Sequence, residues 1–243
     1  MVQMKISVIV PVYNEEDEIK KVVEKIREFS MENPRFGFVF VNDGSSDKTL
    51  DLLRKYVGET DSRIKIVSYS KNRGKGYAIR RGVEFLDSDF ICFIDGDLAY
   101  SLEHLFALEN KLTRYDIAIG HRGLGEKNRD NMKFVRVVFG KAFNLFSRTI
   151  LGLKFRDMQA GLKGFRKKAV KRIFGLQKID GFAFDVEVVY LAKKNGFSVG
   201  EIPARVSREH LKKKSQVKLI KDSIRMFISL MIIKFNDLTG KYG

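Results

Sequence analysis

Residues 90–97 read FICFIDGD, which joins an apolar run to two carboxylates that flank one glycine. Phe90 to Ile94 is short, rich in aromatic and β-branched residues, and bounded by polar residues, which is typical of a buried strand. Similar runs occur at Lys5 to Val10, Phe36 to Val41, Ile64 to Ser68 and Ile117 to Ile119. The sequence therefore predicts a series of short strands between residues 5 and 119.

The segments between these runs have the spacing of amphipathic helices. Apolar residues recur three and four positions apart in Glu15 to Phe29, Asp47 to Tyr56, Lys75 to Leu86 and Ser101 to Leu112. Several begin near Asp or Ser, which cap helix N-termini. Strands that alternate with helices predict an α/β fold with a mainly parallel sheet. The alternation fails after Gly120 and no linker follows, so we predict one domain over residues 1–243.

Composition bounds the class of protein. The 243 residues are 44% hydrophobic and 31% charged, with only 3 Pro, which is typical of a globular chain. Cys92 is the only cysteine and the 3 histidines are scattered, so an intramolecular disulfide and a multi-histidine zinc site are excluded. The longest apolar run near the C-terminus, Met226 to Ile233, is far shorter than the roughly 20 residues that cross a bilayer. We expect no targeting segment and no transmembrane helix.

Charge is distributed unevenly along the chain. Residues 1–104 carry 16 Lys and Arg against 18 Asp and Glu, whereas residues 105–243 carry 30 against 12. A strongly basic half suits nucleic acid, an anionic membrane surface or phosphorylated substrates. Charge alone does not choose among these partners.

Polar segments follow three of the predicted strands. They are residues 11–15 (PVYNE), 42–47 (NDGSSD) and 95–97 (DGD), and we expect them at one edge of the sheet, where open α/β sheets bind ligands. Asp95 and Asp97 suit Mg²⁺ or Mn²⁺, which is held by one or two carboxylates together with substrate phosphates. The alternative is a solvated turn. Nearby Asp43 and Glu15 would repel these carboxylates unless a cation or hydrogen-bond donors intervene.

Residues 72–77 (NRGKGY) follow a strand and open a helix. We expect the backbone N–H groups and Lys75 to face an anionic ligand. The segment matches neither a GxxxxGK(S/T) loop nor a GxGxxG fingerprint. The alternative is a tight turn in which glycines let the helix pack closely on the strand.

Taken in order, these segments resemble the motif series of family 2 glycosyltransferases with the GT-A fold. Residues 157–165 (DMQAGLKGF) and 182–187 (FAFDVE) resemble the branch that transfers a sugar onto dolichyl phosphate, especially the glucosyltransferases. The related mannosyltransferases typically read DADLQ where residues 95–99 read DGDLA. The missing glutamine weakens the mannosyl assignment.

The resemblance implies roles for individual residues. It places Pro11, Tyr13, Glu15 and Asp43 in the nucleotide pocket, Asp95 near ribose and metal, Asp97 on the metal, Arg122 on phosphate, and Asp157 and Gln159 near the reacting sugar carbon and acceptor. Arg122, Asp157 and Gln159 are thus the candidate catalytic residues. The alternative for Asp157 is a structural carboxylate that caps a turn or pairs with Arg156 or Lys163.

Two stretches of the basic half are amphipathic on a helical wheel. Between Lys133 and Ile150, one arc of about 140° holds Lys133, Arg136, Lys141, Asn144 and Arg148. Lys218 to Phe235 similarly separates basic residues from Leu219, Phe227, Leu230 and Met231. Residues 121–156 and 205–243 are therefore expected to form basic elaborations that face the membrane and the acceptor. The alternative is that these helices cover the sheet or form a dimer contact.

A basic cluster follows, at Arg205, Arg208, Lys212, Lys213 and Lys214. It would close over a donor diphosphate, which adds Arg208 to Lys75 among the expected donor-binding residues; the alternative is a solvated charged face.

The combined prediction is an inverting, metal-dependent hexosyltransferase at the cytoplasmic face of a membrane, with UDP-glucose as donor and a polyprenyl phosphate as acceptor. The nearest alternative uses GDP-mannose. A distant alternative is a nucleic-acid-binding protein, because the isoelectric point is about 9.8. No helix-turn-helix, zinc finger or aromatic RNP pattern supports nucleic acid as a partner.

Overall fold

A central sheet organises the part of the chain that the computed structural model describes. The described residues are 6–58, 62–122, 143, 145–155, 157–207 and 219–243, with only the backbone given for 219–224. The strands are β1 (Ile6–Val12), β2 (Phe36–Asp43), β3 (Ile64–Tyr69), β4 (Phe90–Ile94), β5 (Ile117–His121), β6 (Leu162–Arg166) and β7 (Val199–Pro203). They lie in the order β3-β2-β1-β4-β6-β5-β7.

Helices cover both faces of the sheet. They are α1 (Ile19–Glu32), α2 (Thr49–Val57), α3 (Lys75–Glu84), α4 (His104–Leu112), α5 (residues 145–151), α6 (Lys167–Leu176), α7 (Phe184–Lys194) and α8 (Leu219–Leu238). Apolar residues of α1, α2 and α4 fill the core on one face. Those of α3, α5, α6, α7 and α8 fill the core on the other. The predicted α/β class with a mainly parallel sheet is confirmed.

Strand order reverses between β1 and β4. β1 pairs in parallel with β2 on one side and with β4 on the other, although β2 and β3 precede β4 in the chain. Such a reversal opens a crevice beyond the carboxyl ends of the two strands, which is where open α/β sheets bind ligands. The polar segments after β1, β2 and β4 therefore share one edge, as predicted.

The first half of the chain contains the predicted elements, and the largest shift of a boundary is at the start of α1. α1 begins at Ile19 and not at Glu15. Asn14 has a left-handed φ of 52°, and the Glu15 carbonyl accepts the N–H groups of Glu18 and Ile19. Residues 15–18 thus form a turn that leads from the end of β1 into the helix.

Two further strands follow Gly120, where the predicted alternation of strands and helices fails. β6 pairs antiparallel with both β4 and β5, and β7 extends the sheet beside β5. Both strands are five residues long and contain charged residues, Lys163 in β6 and Glu201 in β7. These charges interrupt the apolar runs by which strands are recognised in sequence.

The C-terminus is anchored in the core beside α7. The Tyr242 ring is buried, and its hydroxyl donates to Glu187 Oε1 at 2.5 Å. Glu187 also accepts the N–H groups of Lys178 and Ile179, at 2.9 Å each. Burial raises the pKa of Glu187.

No helix in the described ranges is long and apolar enough to cross a membrane.

Candidate active site at the strand ends

The loops after β1 and β2 are joined by hydrogen bonds. Asn14 Oδ1 accepts the Ser46 N–H at 2.8 Å, and the Glu15 N–H donates to Thr49 Oγ1 at 2.8 Å. Pro11 and Glu15 are half-buried and Tyr13 is 37% exposed. These three predicted nucleotide-binding residues therefore lie on the segment that these hydrogen bonds join to the loop after β2.

Asp43 lies at the end of β2 with its carboxylate fully engaged. Oδ1 accepts from the Tyr69 hydroxyl and the Arg73 N–H, each at 2.8 Å. Oδ2 accepts from Asn72 Nδ2 at 2.9 Å and from the Gly74 N–H at 2.8 Å. These bonds fix the loop of residues 72–74, so Asp43 contributes to the site by holding this loop in place.

The turn before α3 directs its backbone N–H groups at protein acceptors. The N–H groups of Gly76 and Tyr77 donate to the Asp180 carbonyl at 2.7 and 3.2 Å, and those at positions 73 and 74 donate to Asp43. The expectation that the N–H groups face a ligand is wrong for these four. Gly74 has a φ of 104°, and a Cβ there would lie 2.6 Å from the Asp180 oxygen. The turn therefore requires glycine, as the packing alternative predicted.

The Lys75 side chain, unlike these N–H groups, lies within the strand-end site. Its Nζ is 2.7 Å from Asp95 Oδ1 and 3.5 Å from Asp185 Oδ2, and the side chain is 13% exposed. Nζ also lies 5.6 Å from the ring centre of Phe93 and 5.5 Å from that of Phe184. Burial alone would lower the pKa of Lys75, but Asp185 and Asp95 raise it above its usual value. Lys75 is therefore a fixed positive charge beside Asp95.

Sequence reasoning missed the buried ion pair behind Lys75. Lys163 Nζ bonds Asp185 Oδ1 and donates to the Ala160 carbonyl at 2.7 Å. The two side chains are 1% and 4% exposed. Burial lowers the pKa of Lys163, against the attraction of Asp185. Two opposite charges inside otherwise apolar segments were the available sign of a buried pair.

Asp95 and Asp97 follow β4 in a turn that packs tightly against the end of β1. A Cβ on Gly96 would lie 2.3 Å from the Pro11 carbonyl oxygen, so only glycine fits between the strand ends. The Asp95 N–H donates to the Gly161 carbonyl at 3.0 Å, and Asp97 Oδ1 accepts the Ala99 N–H at 3.0 Å. The Asp95 side chain is 30% exposed.

The donor atoms at this turn fit a hard divalent cation. Among the described residues, no three His, Cys, Asp or Glu side chains converge on one point. Two carboxylates of one turn match the sparse protein coordination of Mg²⁺ or Mn²⁺, in which phosphates and water fill the remaining positions. Asp95 and Asp97 are therefore the residues that would hold such a cation.

Arg122 and Asp157 form a two-bond ion pair next to this turn. Arg122 Nε and Nη2 donate to the two carboxylate oxygens at 2.8 Å each, and the Arg122 N–H adds a bond of 3.0 Å. Burial would raise the pKa of Asp157, but Arg122 lowers it to about 2. Of the partners considered for Asp157, Lys163 instead pairs with Asp185, and Arg156 lies outside the described residues.

The candidate catalytic residues belong to the same site as Asp95. The Gln159 N–H donates to Asp157 Oδ1 at 3.3 Å, and Gln159 Nε2 lies 4.0 Å from Met226 Sδ on α8. Burial alone would lower the pKa of Arg122, but Asp157, Tyr100 and Asp95 raise it. The carbonyl of Gly161, two residues after Gln159, accepts the Asp95 N–H at 3.0 Å, so the segment that carries Asp157 and Gln159 lies beside the Asp95 turn.

The basic cluster lies mostly outside the described residues. Arg208 and Lys212 to Lys214 are among the residues not described. The described residues just before them lie beside the segment that follows Asp97. The Ser207 N–H donates to the Ala99 carbonyl at 2.8 Å, and Val206 pairs with Tyr100.

The two predicted amphipathic helices carry exposed apolar side chains. In α5, Leu145 is 61% and Phe146 is 47% exposed; Lys133, Arg136, Lys141 and Asn144 lie outside the described residues. In α8, Leu230 and Ile233 are buried, whereas the opposite side exposes Ile228, Met231, Ile232, Phe235 and Leu238. The packing alternative therefore explains only one face of α8.

Comparison with known proteins identifies the class. Residues 7–174 match the model of the family described as "Glycosyl transferase family 2", and the chain belongs to this family. It is 28% identical to dolichyl-phosphate beta-glucosyltransferase of Dictyostelium discoideum, over 97% of this chain and 75% of that protein. It is 30% identical to the Saccharomyces cerevisiae protein of the same name, over 98% of this chain and 76% of that protein.

Solved structures confirm the predicted GT-A fold. Glucosyl-3-phosphoglycerate synthase from Mycobacterium tuberculosis superposes with a TM-score of 0.69 and 18% identity, over 95% of this chain and 80% of that one. A second structure of that enzyme, with a TM-score of 0.67, 16% identity and the same coverage of both chains, is in complex with Mn²⁺, UDP and glucosyl-3-phosphoglycerate.

The ion pair with Arg122 lowers the pKa of Asp157, and this effect can be tested by replacing the arginine. The folded-state pKa of Asp157, about 2, lies below the ordinary 3.8, so the pair stabilises the fold fully above pH 3.8 and loses this contribution as the pH falls through 2. The contribution is about 2 kcal/mol. We expect Arg122→Gln to raise the Asp157 pKa in a carboxyl ¹³C NMR titration. Arg172→Gln, on a surface arginine, is the control, and an unchanged Asp157 pKa in Arg122→Gln would contradict the proposed pairing.

Proposed function

We propose that this family 2 glycosyltransferase moves glucose from UDP-glucose to a polyprenyl phosphate of the dolichyl type, with inversion at the anomeric carbon. The single observation that carries the proposal is the convergence of the Asp95 and Asp97 turn with the Arg122–Asp157 pair at one crevice. The similarity to dolichyl-phosphate beta-glucosyltransferases over nearly the whole chain supports the choice of substrates. It also favours glucose over the mannosyl alternative.

On the donor side, residues of this chain bind the cation, the diphosphate and the nucleotide. Asp95 and Asp97 would hold Mg²⁺ or Mn²⁺, which when bound neutralises the departing nucleoside diphosphate. Lys75 adds a second positive charge beside Asp95. Pro11, Tyr13 and Glu15 form the surface for the nucleotide, and Asp43 holds the loop next to it. Arg208 is proposed to close over the diphosphate.

At the acceptor side, orientation matters more than proton removal. A phosphate monoester has a second pKa near 6, so its oxygen is already a nucleophile at neutral pH. Asp157, with a pKa of about 2, is a weak base. We infer that Asp157 holds the Arg122 guanidinium toward the acceptor phosphate and that Gln159 lines the reacting centre. Asp157→Asn should therefore impair turnover less than Asp97→Ala.

A lipid acceptor implies a membrane surface beside the site. The exposed apolar side chains of α5 and α8 belong to the basic half of the chain, which carries 30 Lys and Arg against 12 Asp and Glu. Apolar side chains enter the acyl boundary while cations attract anionic headgroups. We propose peripheral attachment through this face, on the cytoplasmic side of the membrane.

The direct test is sugar transfer in liposomes. Labelled UDP-glucose, GDP-mannose and UDP-N-acetylglucosamine are offered in parallel with polyprenyl phosphate and Mg²⁺ or Mn²⁺, with EDTA controls. We expect metal-dependent product from UDP-glucose. Product from GDP-mannose alone would establish the mannosyl alternative, and product from no donor would refute lipid-phosphate glycosylation by these sugars.

Gly161→Ala tests the Asp95 turn without removing a charge. A Cβ at position 161 would lie 1.8 Å from Asp95 Oδ2, so the carboxylate must move. We expect UDP affinity in Mn²⁺ to fall at least roughly tenfold by calorimetry, since displaced charge-assisted contacts are worth this much. Gly175→Ala is the matched control, because a Cβ there meets nothing within 4 Å. Unchanged UDP affinity in Gly161→Ala would be evidence against the site.

Phe235→Glu tests the membrane face. Phe235 is 58% exposed on α8, and Phe85, at the end of α3, is 51% exposed. We expect Phe235→Glu to weaken sedimentation with anionic vesicles roughly tenfold, given the free energy of inserting one phenyl side chain. Phe85→Glu should bind like the wild type. Equal vesicle binding by all three proteins would exclude α8 as the attachment surface.

A further inference from the structure

Lys75 and a divalent cation draw on the same carboxylate. Lys75 Nζ lies 2.7 Å from Asp95 Oδ1, and Asp95 is one of the two residues suited to hold the cation. A lysine and a metal ion compete for a carboxylate because each is stabilised by its negative charge. A cation bound to Asp95 therefore weakens the Lys75–Asp95 interaction.

A second carboxylate is already in place for Lys75. Asp185 Oδ2 lies 3.5 Å from Lys75 Nζ, and Asp185 itself is buried. Lys163 bonds the other oxygen of Asp185 and donates to the Ala160 carbonyl. The next residue, Gly161, accepts the Asp95 N–H through its carbonyl. The two lysines and two aspartates balance in charge, and Asp185 is held firmly from behind.

We propose that Lys75 exchanges partners when the donor binds: it yields Asp95 to the divalent cation and remains on Asp185, where it faces the diphosphate. Asp185 and Lys163 are then positioning residues that act through Lys75. This inference deepens the proposed donor site and rests on it. The exchange keeps a positive charge at the diphosphate without leaving a buried lysine unpaired.

Lys75→Met separates two effects that a merely structural role would move together. We expect the variant to bind Mn²⁺ alone about tenfold more tightly, because one charge-assisted competitor is gone. It should bind UDP in saturating Mn²⁺ about tenfold more weakly, because the diphosphate loses a cation. Lys71→Met, which removes an exposed lysine in the same loop, is the control for general charge. The exchange would be overturned if Lys75→Met did not bind Mn²⁺ more tightly, or if it did not bind UDP more weakly.

The positioning pair is tested by a double substitution. Asp185→Asn alone leaves Lys163 buried without its partner and risks unfolding, so Asp185→Leu with Lys163→Met replaces the ion pair by apolar side chains. Lys75 is then left with Asp95 alone, and we expect Mn²⁺ alone to bind about threefold to tenfold more weakly than to the wild type. Mn²⁺ affinity equal to or above that of the wild type would contradict the role of Asp185.

These measurements fail separately from the proposed function. A wild-type protein that transfers glucose while Lys75→Met fails to tighten Mn²⁺ binding would retain the function and lose the exchange. Suppose instead that the wild type binds Mn²⁺ through Asp97 but transfers no sugar, and that Lys75→Met binds Mn²⁺ more tightly and UDP more weakly. The exchange would then be retained and the function lost. A protein that binds no Mn²⁺, with or without UDP, refutes the exchange outright.

Discussion

The reversal of strand order between β1 and β4 determines where everything else lies. It brings the ends of two parallel strands so close that a Cβ on Gly96 would lie 2.3 Å from the Pro11 carbonyl oxygen. It also opens the crevice beside which the following turns lie. β6, antiparallel to both neighbours, then carries the chain back beside β4, so that residues 157–163 reach the same edge. Two halves of the sequence with different charge thereby build one site.

Gathering carboxylates at one edge has an electrostatic cost, and the structure offsets it in three different ways. Neutral donors on β3 and the loop after it stabilise the Asp43 carboxylate, one guanidinium neutralises Asp157, and two lysines neutralise Asp95 and Asp185. Of these aspartates, Asp95 is the one whose side chain is appreciably exposed. Asp95 is therefore the carboxylate at which a ligand can most readily replace an internal partner.

The first half of the fold follows from the sequence because its signals are local. The strands before Gly120 are rich in large apolar residues, although β3 contains Lys65, and each helix shows its own apolar spacing. β6 and β7 escape this reasoning because Lys163 and Glu201 interrupt them. The residue types at the strand ends also indicate a cation, because carboxylate oxygens are the ligands that hard divalent cations prefer.

Partner choice within the site does not follow from sequence. Lys75 and Asp185 are 110 residues apart, and Arg122 and Asp157 are 35 apart, so no local pattern connects them. Aspartates of the same residue type differ in role because of their surroundings. Asp43 lies under the loop with both oxygens bonded, whereas Asp95 is partly open to solvent. The resemblance to a family names such residues, but only the fold shows which donors each one meets.

The central claim is that the Asp95 and Asp97 turn holds a divalent cation together with a nucleoside diphosphate. Calorimetric titration of UDP into the wild-type protein, with Mn²⁺ and again with EDTA, tests it most directly when repeated on Asp97→Ala. We predict UDP binding in Mn²⁺ that is lost both in EDTA and in the variant. UDP binding of equal affinity under all of these conditions would contradict the claim.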